Sequence, residues 1–479
     1  MTPGGSGVDV LIVGGGIYGA TAAYEASRRG LSVLLVERDD FGAATSQNSM
    51  KIAHGGLRYL QTMDLPRIRE SIEERQRLLQ IAPHLVKPLL CRIDLEGVNR
   101  PSRLLLRAGL LLNEWISRAI NRTAPADSLL PKAAYPYWYD AIIIDTERLL
   151  LSFLDTAVKL GRGRTRVMNY TIVEEFIRRR DRIAGARISA LGEVDVGFVL
   201  DCTGVSRRGQ PAGLSMNLVV GGLSISGGGA AVALHHPIDH RKVFVVPWRE
   251  CSIVGTMERA YPYDPAQPLR LDRAWIDEFL AWIRPVHPEL ARLSSADIRL
   301  VHAGLLPREG PHSNRLARHY RIEDEPGGIV RVVGVKYTTA RRVSSRAVEI
   351  GARRLGLRPG PGRESGPLPS LVDHRLELAA YQQADAALPA AVLDSRSGPS
   401  VGAVLYAVDR EQARTLSDVL FRRTGIATTG HPGPDLVSAV ASILQQRFGW
   451  SEEQRREQIE AFNRDRAYLC ADPHASTRS

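Results

Sequence analysis

The sequence predicts an α/β domain, a β-rich domain and a C-terminal α-helical domain. Three observations carry this fold class. An apolar strand, a glycine turn and a small-residue helix open the chain, apolar strands follow one another from residue 165 to 334, and helical patterns return after residue 400. Because 479 residues exceed one ordinary core, two or three domains are expected.

The first element is a complete dinucleotide-binding motif. Residues 8–13 form an apolar strand, Gly14 and Gly16 let the backbone approach a pyrophosphate, and Gly19 lets the next helix pack on the strand. Glu37 ends the following strand, 18 residues past Gly19, where a carboxylate can accept hydrogen bonds from ribose hydroxyls. Strand, turn, helix and acid together predict a Rossmann-like domain rather than a glycine-rich turn without a ligand.

The later elements follow from hydrophobic periodicity and turn residues. The segment from 41 to 60 is small and polar, then glycine-punctuated, then helical, as expected of a loop laid against a cofactor. Strands are predicted at 167–177, 182–188, 194–200, within 215–260 and at 329–334, with a charged turn at 178–181. A helix is predicted to open at Lys336, a Gly/Pro-rich linker to cover 356–369, and helices to follow at 371–383, 401–423, 434–448 and 451–468.

Composition narrows the function class. The net charge is +11, but it comes almost entirely from arginines spread along the chain, without a basic run interleaved with aromatics, so nucleic-acid binding is not predicted. The cysteines have neither metal-ligand spacing nor a disulfide framework, which predicts no metal site and reduced thiols in a cytoplasmic protein; they are Cys91, Cys202, Cys251 and Cys470. No export signal is visible, and no apolar run approaches the ~18 residues of a spanning helix.

One segment suggests contact with a membrane surface. Residues 100–118 combine an apolar helical pattern with four arginines and Trp115, a composition suited to lying in a bilayer interface. A core helix under a cap domain is an equally good interpretation. We expect peripheral membrane association on the cytoplasmic side.

Several motifs in order resemble one family. The chain reads G-G-G-I-x-G, A-T-S, H-G-G-L-R-Y-L, V-F-V-x-P-W, S-I-x-G-T and G-x-K-x-T-T, and it is similar over nearly its whole length to the FAD-dependent glycerol-3-phosphate dehydrogenases and oxidases of the glycine and D-amino-acid oxidase superfamily. H-G-G-L-R-Y-L is the most specific of these motifs. The tail from Thr415 to Thr424 also resembles that family's C-terminal domain.

The resemblance implies a domain plan. A discontinuous FAD domain would cover about 5–60, 140–212 and 300–355, and a β-rich substrate domain would cover about 61–139 and 213–299. A linker at 356–370, a helical domain at 371–470 and a tail at 471–479 would follow.

FAD is also favoured over NAD for a physical reason. Glycine and threonine segments return to the same place from Thr45, Gly204 and Gly334 onward, which suits a long, enclosed cofactor. The resemblance implies that the cofactor contacts are Gly14, Gly16, Ile17, Tyr18, Gly19, Glu37, Arg38, Thr45, Ser46, Ser49, His54, Ile172, Gly204, Gly334, Lys336, Tyr337 and Thr338.

The implied chemistry is hydride transfer from a CH–OH or CH–NH carbon of a small-molecule substrate to the flavin, with the proton taken by a nearby base. We expect Arg58 and Arg318 to bind a phosphate or carboxylate, Tyr59 to hold a substrate oxygen and Lys336 to stabilise charge on the reduced flavin. His54 is a candidate base or a hydrogen-bonding lock on its loop. The final electron acceptor, a quinone or oxygen, is left open.

Departures from the family's motifs bear on the substrate. Where the family has the arginine of G-V-R-P, which meets the substrate phosphate, this chain has Leu306, and Leu223 stands where a substrate-site histidine is expected in a strand. Val335 and Ala340 are smaller changes in the G-x-K-x-T-T segment. Either Arg308 compensates, or the substrate is less anionic or larger than glycerol 3-phosphate.

Two alternatives remain open from the sequence. One is an oxidoreductase of the same superfamily that acts on a different alcohol or amine. The other is a flavin-binding partner protein without turnover, which the intact H-G-G-L-R-Y-L motif argues against, because a binding protein has no need of Arg58 and Tyr59.

Overall fold

The fold is described from a computed structural model of the chain. The structure describes residues 7–57, 59, 63–94, 100–121, 137–205, 211–264, 267, 269–310, 313, 315–357, 360, 362–363, 366–369 and 401–469.

The first sheet has eight strands and carries the glycine motif. Its main path runs β15–β16–β9–β1–β2–β6, and β7 and β8 extend it through an antiparallel pairing with β9. Around β1 the pairings with β2 and β9 are parallel, as a Rossmann-like half requires. The strands are β1 (Val8–Val13), β2 (Val33–Val36), β6 (Thr165–Met168), β7 (Val173–Arg179), β8 (Arg182–Ile188), β9 (Gly192–Asp201), β15 (Arg321–Glu325) and β16 (Ile329–Val333).

The second sheet is mostly antiparallel and also has eight strands, in the order β14–β10–β13–β12–β11–β4–β5–β3. Its longest pairings join β10 to β13 and to β14. The strands are β3 (Ile52–Ala53), β4 (Val86–Ile93), β5 (Tyr137–Ile143), β10 (Ala212–Gly221), β11 (Ala231–His235), β12 (Lys242–Trp248), β13 (Cys251–Tyr261) and β14 (Ile298–Pro307).

Helices cover both sheets. Their bounds are α1 (Ile17–Arg28), α2 (Leu65–Ile81), α3 (Arg100–Asn121), α4 (Thr146–Gly161), α5 (Arg273–Ile283), α6 (Pro288–Ala291), α7 (Ala340–Arg354), α8 (Val401–Asp409), α9 (Pro434–Phe448) and α10 (Glu452–Leu469), with a π-helix at Asp418–Arg423. Small residues let α1 pack closely, since Ala20, Ala22 and Ala23 are wholly buried in the core shared by α1, α4 and α7. A separate core lies between the second sheet and the C-terminal helices.

The C-terminal helices dock onto the nucleotide-binding domain through buried ion pairs. Asp40, four residues after β2, is wholly buried, and its Oδ2 accepts hydrogen bonds from Arg422 Nε at 2.5 Å and Arg423 Nη1 at 2.7 Å. Arg148 of α4 pairs with Glu411 and donates to the Arg423 carbonyl at 2.7 Å. The two parts are therefore held together by charges as well as by apolar contact.

The structure corrects three of the predicted elements. The strand predicted at 167–177 is two strands, because residues 169–172 turn over the loop after β2, with Tyr170 at φ +49° and its N–H on the Asp39 carbonyl. The helix predicted at 401–423 is α8 followed by the π-helix. Lys336 does not open a helix, since α7 begins at Ala340. The helix predicted at 371–383 lies outside the described residues.

Candidate active site

The glycine turn after β1 has no room for side chains. Gly14 has φ +105°, and a Cβ there would lie 2.8 Å from the carbonyl oxygen of Cys202 in the turn after β9. A Cβ on Gly19 would lie 1.8 Å from the carbonyl oxygen of Gly14. The first turn of α1 carries no acidic side chain, so the N-terminus of this helix can receive a pyrophosphate.

Glu37 follows β2 directly and reaches the glycine turn. Its Oε2 accepts from the N–H of Gly15 at 2.5 Å and its Oε1 from the N–H of Asp39 at 3.0 Å. Burial raises the pKa of this carboxyl, against the effect of the two N–H groups. Each carboxylate oxygen keeps a second lone pair for a ribose hydroxyl. Arg38, beside it, is about half exposed and pairs with Asp39.

The loop after β2 closes over the start of α1. Ser46 Oγ accepts the N–H of Ile17 at 2.9 Å, which places a hydroxyl at the helix N-terminus. Thr45 Oγ1 donates to the carbonyl of Leu305 at 2.9 Å and accepts its N–H at 3.1 Å. Strand β14 therefore lies against this loop, so both sheets meet at the site.

A second tie joins α1 to the turn after β16. The hydroxyl of Tyr18 donates to the carbonyl of Lys336 at 2.8 Å, and burial raises the pKa of Tyr18 to about 12, which keeps the donor protonated. The Tyr18 ring leaves no space for a side chain at Gly334, where a Cβ would be 2.0 Å from ring atom Cε2. Tyr337 is fixed as well, because its hydroxyl donates to the Thr146 carbonyl at 2.7 Å.

Three of the predicted catalytic residues lie together. The Nζ of Lys336 is 3.8 Å from the centroid of the Tyr59 ring, and the His54 and Tyr59 rings are 6.1 Å apart, edge to face. The N–H of His54 donates to Thr338 Oγ1 at 3.1 Å, so this residue ties its loop to the Lys336 segment. Arg58 lies outside the described residues.

Three other predicted site residues make contacts outside this cluster. The side chain of Arg318 is 47% exposed and pairs with Glu309 at 3.3 Å. Ile172 is 48% exposed, and its N–H donates to Ser189 Oγ. Gly204, at φ +69°, lies in the turn after β9, where its carbonyl accepts from Arg331.

The structure also places the residues at which the sequence departs from the family's motifs. Leu306 is half-buried in β14, next to Leu305 and opposite Gly213. Arg308 donates to the Ser313 carbonyl within its own loop. Leu223 is not in a strand, because β10 ends at Gly221, and its N–H donates to Ser252 Oγ. The predicted substrate-site strand position at Leu223 was therefore wrong.

A buried polar network under the site was not predicted from the sequence. Lys51 is wholly buried, with Nζ 2.9 Å from Glu147 Oε1 and 5.3 Å from the Trp248 ring centroid. His302 is buried beside it and bonds to the Ser49 carbonyl at 3.0 Å. Burial, then the Lys51 charge, lower the pKa of His302 well below its ordinary value, so its ring is neutral. Lysine occurs only six times in the chain, so Lys51 within the 41–60 segment was the available signal.

The arrangement fits a dinucleotide that carries a flavin. The glycine turn and the N-terminus of α1 suit a pyrophosphate, and Glu37 suits a ribose. The loop after β2 and the turn after β16 connect this end to the Tyr59–Lys336 cluster. Residues 9–337 match the family of FAD dependent oxidoreductases. The chain belongs to that family. Residues 374–455 match the C-terminal domain of alpha-glycerophosphate oxidase.

Named relatives of this FAD dependent oxidoreductase have similar lengths. The chain is 27% identical to a glycerol-3-phosphate dehydrogenase of Synechocystis, over 95% of each chain. It is 29% identical to the aerobic glycerol-3-phosphate dehydrogenase of Escherichia coli, over 71% of this chain and 72% of that one. A glycerol-3-phosphate dehydrogenase from Bacillus halodurans, solved in complex with FAD, has the same fold, with a TM-score of 0.72, 22% identity, and coverage of 98% of this chain and 96% of that one.

Proposed function

We propose that this FAD-dependent oxidoreductase oxidises the secondary alcohol of glycerol 3-phosphate or of a close phosphorylated relative. The observation that carries the proposal is the Lys336–Tyr59 contact beside His54, which sets a cation, a phenol and an imidazole at one end of the nucleotide-binding site. The named relatives act on the same substrate class by their printed names. When bound, FAD supplies the acceptor for the substrate's hydride.

The proposal gives each residue a part. Tyr59 holds a substrate oxygen. Lys336 would stabilise the negative charge on the reduced flavin. The His54 ring takes the hydroxyl proton, since a neutral imidazole can do so near pH 7. The cofactor contacts and domain boundaries given above from the resemblance are part of this proposal.

Anaerobic reduction of the flavin tests the substrate. The holoenzyme is mixed with glycerol 3-phosphate, and we expect the flavin absorbance to bleach at sub-millimolar substrate; neutral glycerol at the same concentration is the matched control. Bleaching by an unphosphorylated hydroxy acid or an amine instead would point to a different substrate, which the apolar Leu306 beside the site favours. A flavin that stays oxidised with all of them would exclude turnover.

We further propose that α3 lies on a membrane surface. Leu104, Leu111 and Trp115 are 67%, 68% and 68% exposed, and they fall on one side of the helix at spacings of seven and four residues. Ile116 of the same helix packs against Ile68 and Ile72, so the opposite side faces the protein. Among the described helices, none is long and apolar enough to cross a bilayer.

Liposome flotation tests this surface. Wild-type protein is expected to float with vesicles containing anionic lipid, and the variant L111S/W115S is expected to lose most of that binding, because apolar area drives interfacial insertion. Ile238→Ser is the control, since Ile238 is 77% exposed on another element. Equal flotation of all three proteins would exclude α3 as the contact, and a wild type that stays at the bottom would exclude membrane binding.

A further inference from the structure

Arg67, in the first turns of α2, has a buried donor without an acceptor. Its side chain is 10% exposed, and its Nη2 is buried with no hydrogen-bond partner among the described residues. A guanidinium nitrogen left in this state costs free energy until an acceptor reaches it. No acceptor of the described protein does so, which leaves the position to a ligand.

The rest of the side chain is held in place. Asp64 caps α2 by accepting the N–H of Arg67 at 3.3 Å, and its other oxygen lies 3.3 Å from Arg67 Nε. The guanidinium carbon lies 4.8 Å from the centroid of the Tyr59 ring. Asp64 therefore fixes the Nε side of the Arg67 guanidinium, and the Tyr59 ring fixes its plane. The Nη2 side is left with one orientation.

Both cations and carboxylates surround Arg67. Lys336 Nζ lies over the same Tyr59 ring as Arg67. Burial lowers the pKa of Arg67, whereas Asp64, Glu70 and Tyr320 raise it; the positive charge of Arg318 lowers it and is the smallest of these effects. The nearby carboxylate of Glu70 is engaged elsewhere, with Arg346 at 2.9 Å and the Tyr320 hydroxyl at 3.3 Å. An anion beside the Tyr59 ring would be attracted by both Arg67 and Lys336.

The strand on the other side offers no such group. The backbone of Leu305 is hydrogen-bonded to Thr45 in the loop after β2, and its neighbour Leu306 contributes an apolar side chain. Arg308, the compensating cation in one of the two alternatives drawn from the sequence, donates to the Ser313 carbonyl within its own loop. Among the described residues, α2 supplies a cation beside the Tyr59 ring that β14 does not supply at Leu306.

We propose that Arg67 binds the oxyanion of the substrate, a phosphate or a carboxylate, through its free Nη2 edge, and so sets the enzyme's preference for anionic alcohols. The inference rests on the proposed function, because Tyr59 and Lys336 place the alcohol next to this edge. Residues on α2 thus supply the charge that β14 lacks at Leu306.

The test compares Arg67→Gln, Arg67→Lys and Arg69→Gln as holoenzymes. Arg69 is the matched control, since it lies on the same helix, is 72% exposed and pairs with Glu73. Flavin content and circular dichroism check that each variant is folded. Anaerobic flavin reduction is then measured with glycerol 3-phosphate, glycerate and glycerol, and inorganic phosphate is titrated as a competitor and as a direct perturbant of the flavin spectrum.

Arg67→Gln is expected to raise KM for the anionic substrate about 10- to 100-fold with little change in kcat, because one charge-assisted hydrogen bond is lost. Phosphate should inhibit it correspondingly less. Arg67→Lys should have a KM between those of the wild type and Arg67→Gln, since it keeps the charge and loses the planar guanidinium with its paired donors. Arg69→Gln should match the wild type. Whichever anion shows the larger KM change identifies the oxyanion as phosphate or carboxylate.

Two results would overturn the assignment: an unchanged KM and phosphate inhibition in Arg67→Gln, or an equal loss with neutral glycerol. The proposed function fails separately. If phosphate perturbs the wild-type flavin but not that of Arg67→Gln, while no alcohol bleaches either protein, the anion site stands and the reaction does not.

Discussion

Gly334 shows how a single residue fixes the backbone of the predicted cofactor site. It stands in the turn after β16, and the ring of Tyr18 from α1 occupies the space that a Cβ would need, at 2.0 Å. The same ring carries the hydroxyl that holds the Lys336 carbonyl at 2.8 Å. Two segments more than 300 residues apart in sequence are therefore locked by one contact.

Gly334→Ala should lower both flavin content and stability. The methyl group would displace the Tyr18 ring, which breaks the Tyr18–Lys336 bond, and overpacking of this kind costs about 1–3 kcal/mol. Flavin-to-protein absorbance ratio and the denaturant midpoint are the measurements.

Gly109→Ala is the control, because nothing lies within 4 Å of a Cβ at this position in α3. It should be neutral or more stable by up to about 1 kcal/mol. Normal flavin content in Gly334→Ala would mean that the turn relaxes without Tyr18.

At the scale of elements, periodicity predicted strands and helices wherever the hydrophobic pattern runs unbroken from end to end. The strands at 182–188 and 194–200 and the helix at 434–448 agree with β8, β9 and α9. The hydrophobic patterns at 167–177 and 401–423 also show no break in the sequence, because the contacts that interrupt these two elements involve residues far away in the chain. Tyr170 turns the chain onto the Asp39 carbonyl. Asp418 accepts the distant Tyr170 hydroxyl at 2.8 Å together with the N–H groups of Arg414 and Thr415, and a new helical segment starts there.

The candidate site also has residues that could be placed from the sequence and residues that could not. A glycine motif needs certain φ values and close approaches that are written in adjacent residues, so Gly14, Gly19 and Glu37 could be placed from the sequence. The contacts made by Lys51 and Arg67 could not, because a buried lysine or arginine has the same letter as a surface one, and only the fold supplies Glu147 or the Tyr59 ring.

At the scale of the whole molecule, Asp40 links the nucleotide-binding domain to the C-terminal helices. Its carboxylate is wholly buried between Arg422 and Arg423. Burial alone would raise the pKa of Asp40, but the two guanidinium groups, Arg423 first, hold it well below its ordinary value of 3.8. The docking of the domains therefore depends on a charged carboxylate.

Asp40→Asn should destabilise the protein by about 3–5 kcal/mol at pH 7, because buried Arg423 loses its carboxylate partner and buried Arg422 keeps only Asp418. A group with a lowered native pKa contributes fully above its unfolded pKa and less as the pH falls through the native one. The difference between wild type and variant should thus be constant above about pH 5 and shrink below about pH 4.

Denaturant unfolding across this pH range is the measurement. Asp39→Asn is the control, since the Asp39 side chain is 64% exposed and pairs only with a half-exposed Arg38 in the described structure; it should change stability by less than about 1 kcal/mol. A difference for Asp40→Asn that persists unchanged to pH 3 would show that the carboxylate charge is not what holds the domains together.

The Asp40 contact also sets an order of events during synthesis. Asp40 leaves the ribosome long before Arg422, and at about 5–20 residues per second the interval is roughly 20–75 s. Throughout that time Asp40 has neither of its arginine partners, and Asn169, which precedes them in the chain, is the donor already available to it. The nucleotide-binding loop is therefore among the first parts to be translated, and it reaches its native ion pairs only after the π-helix that carries Arg422 and Arg423 has been made.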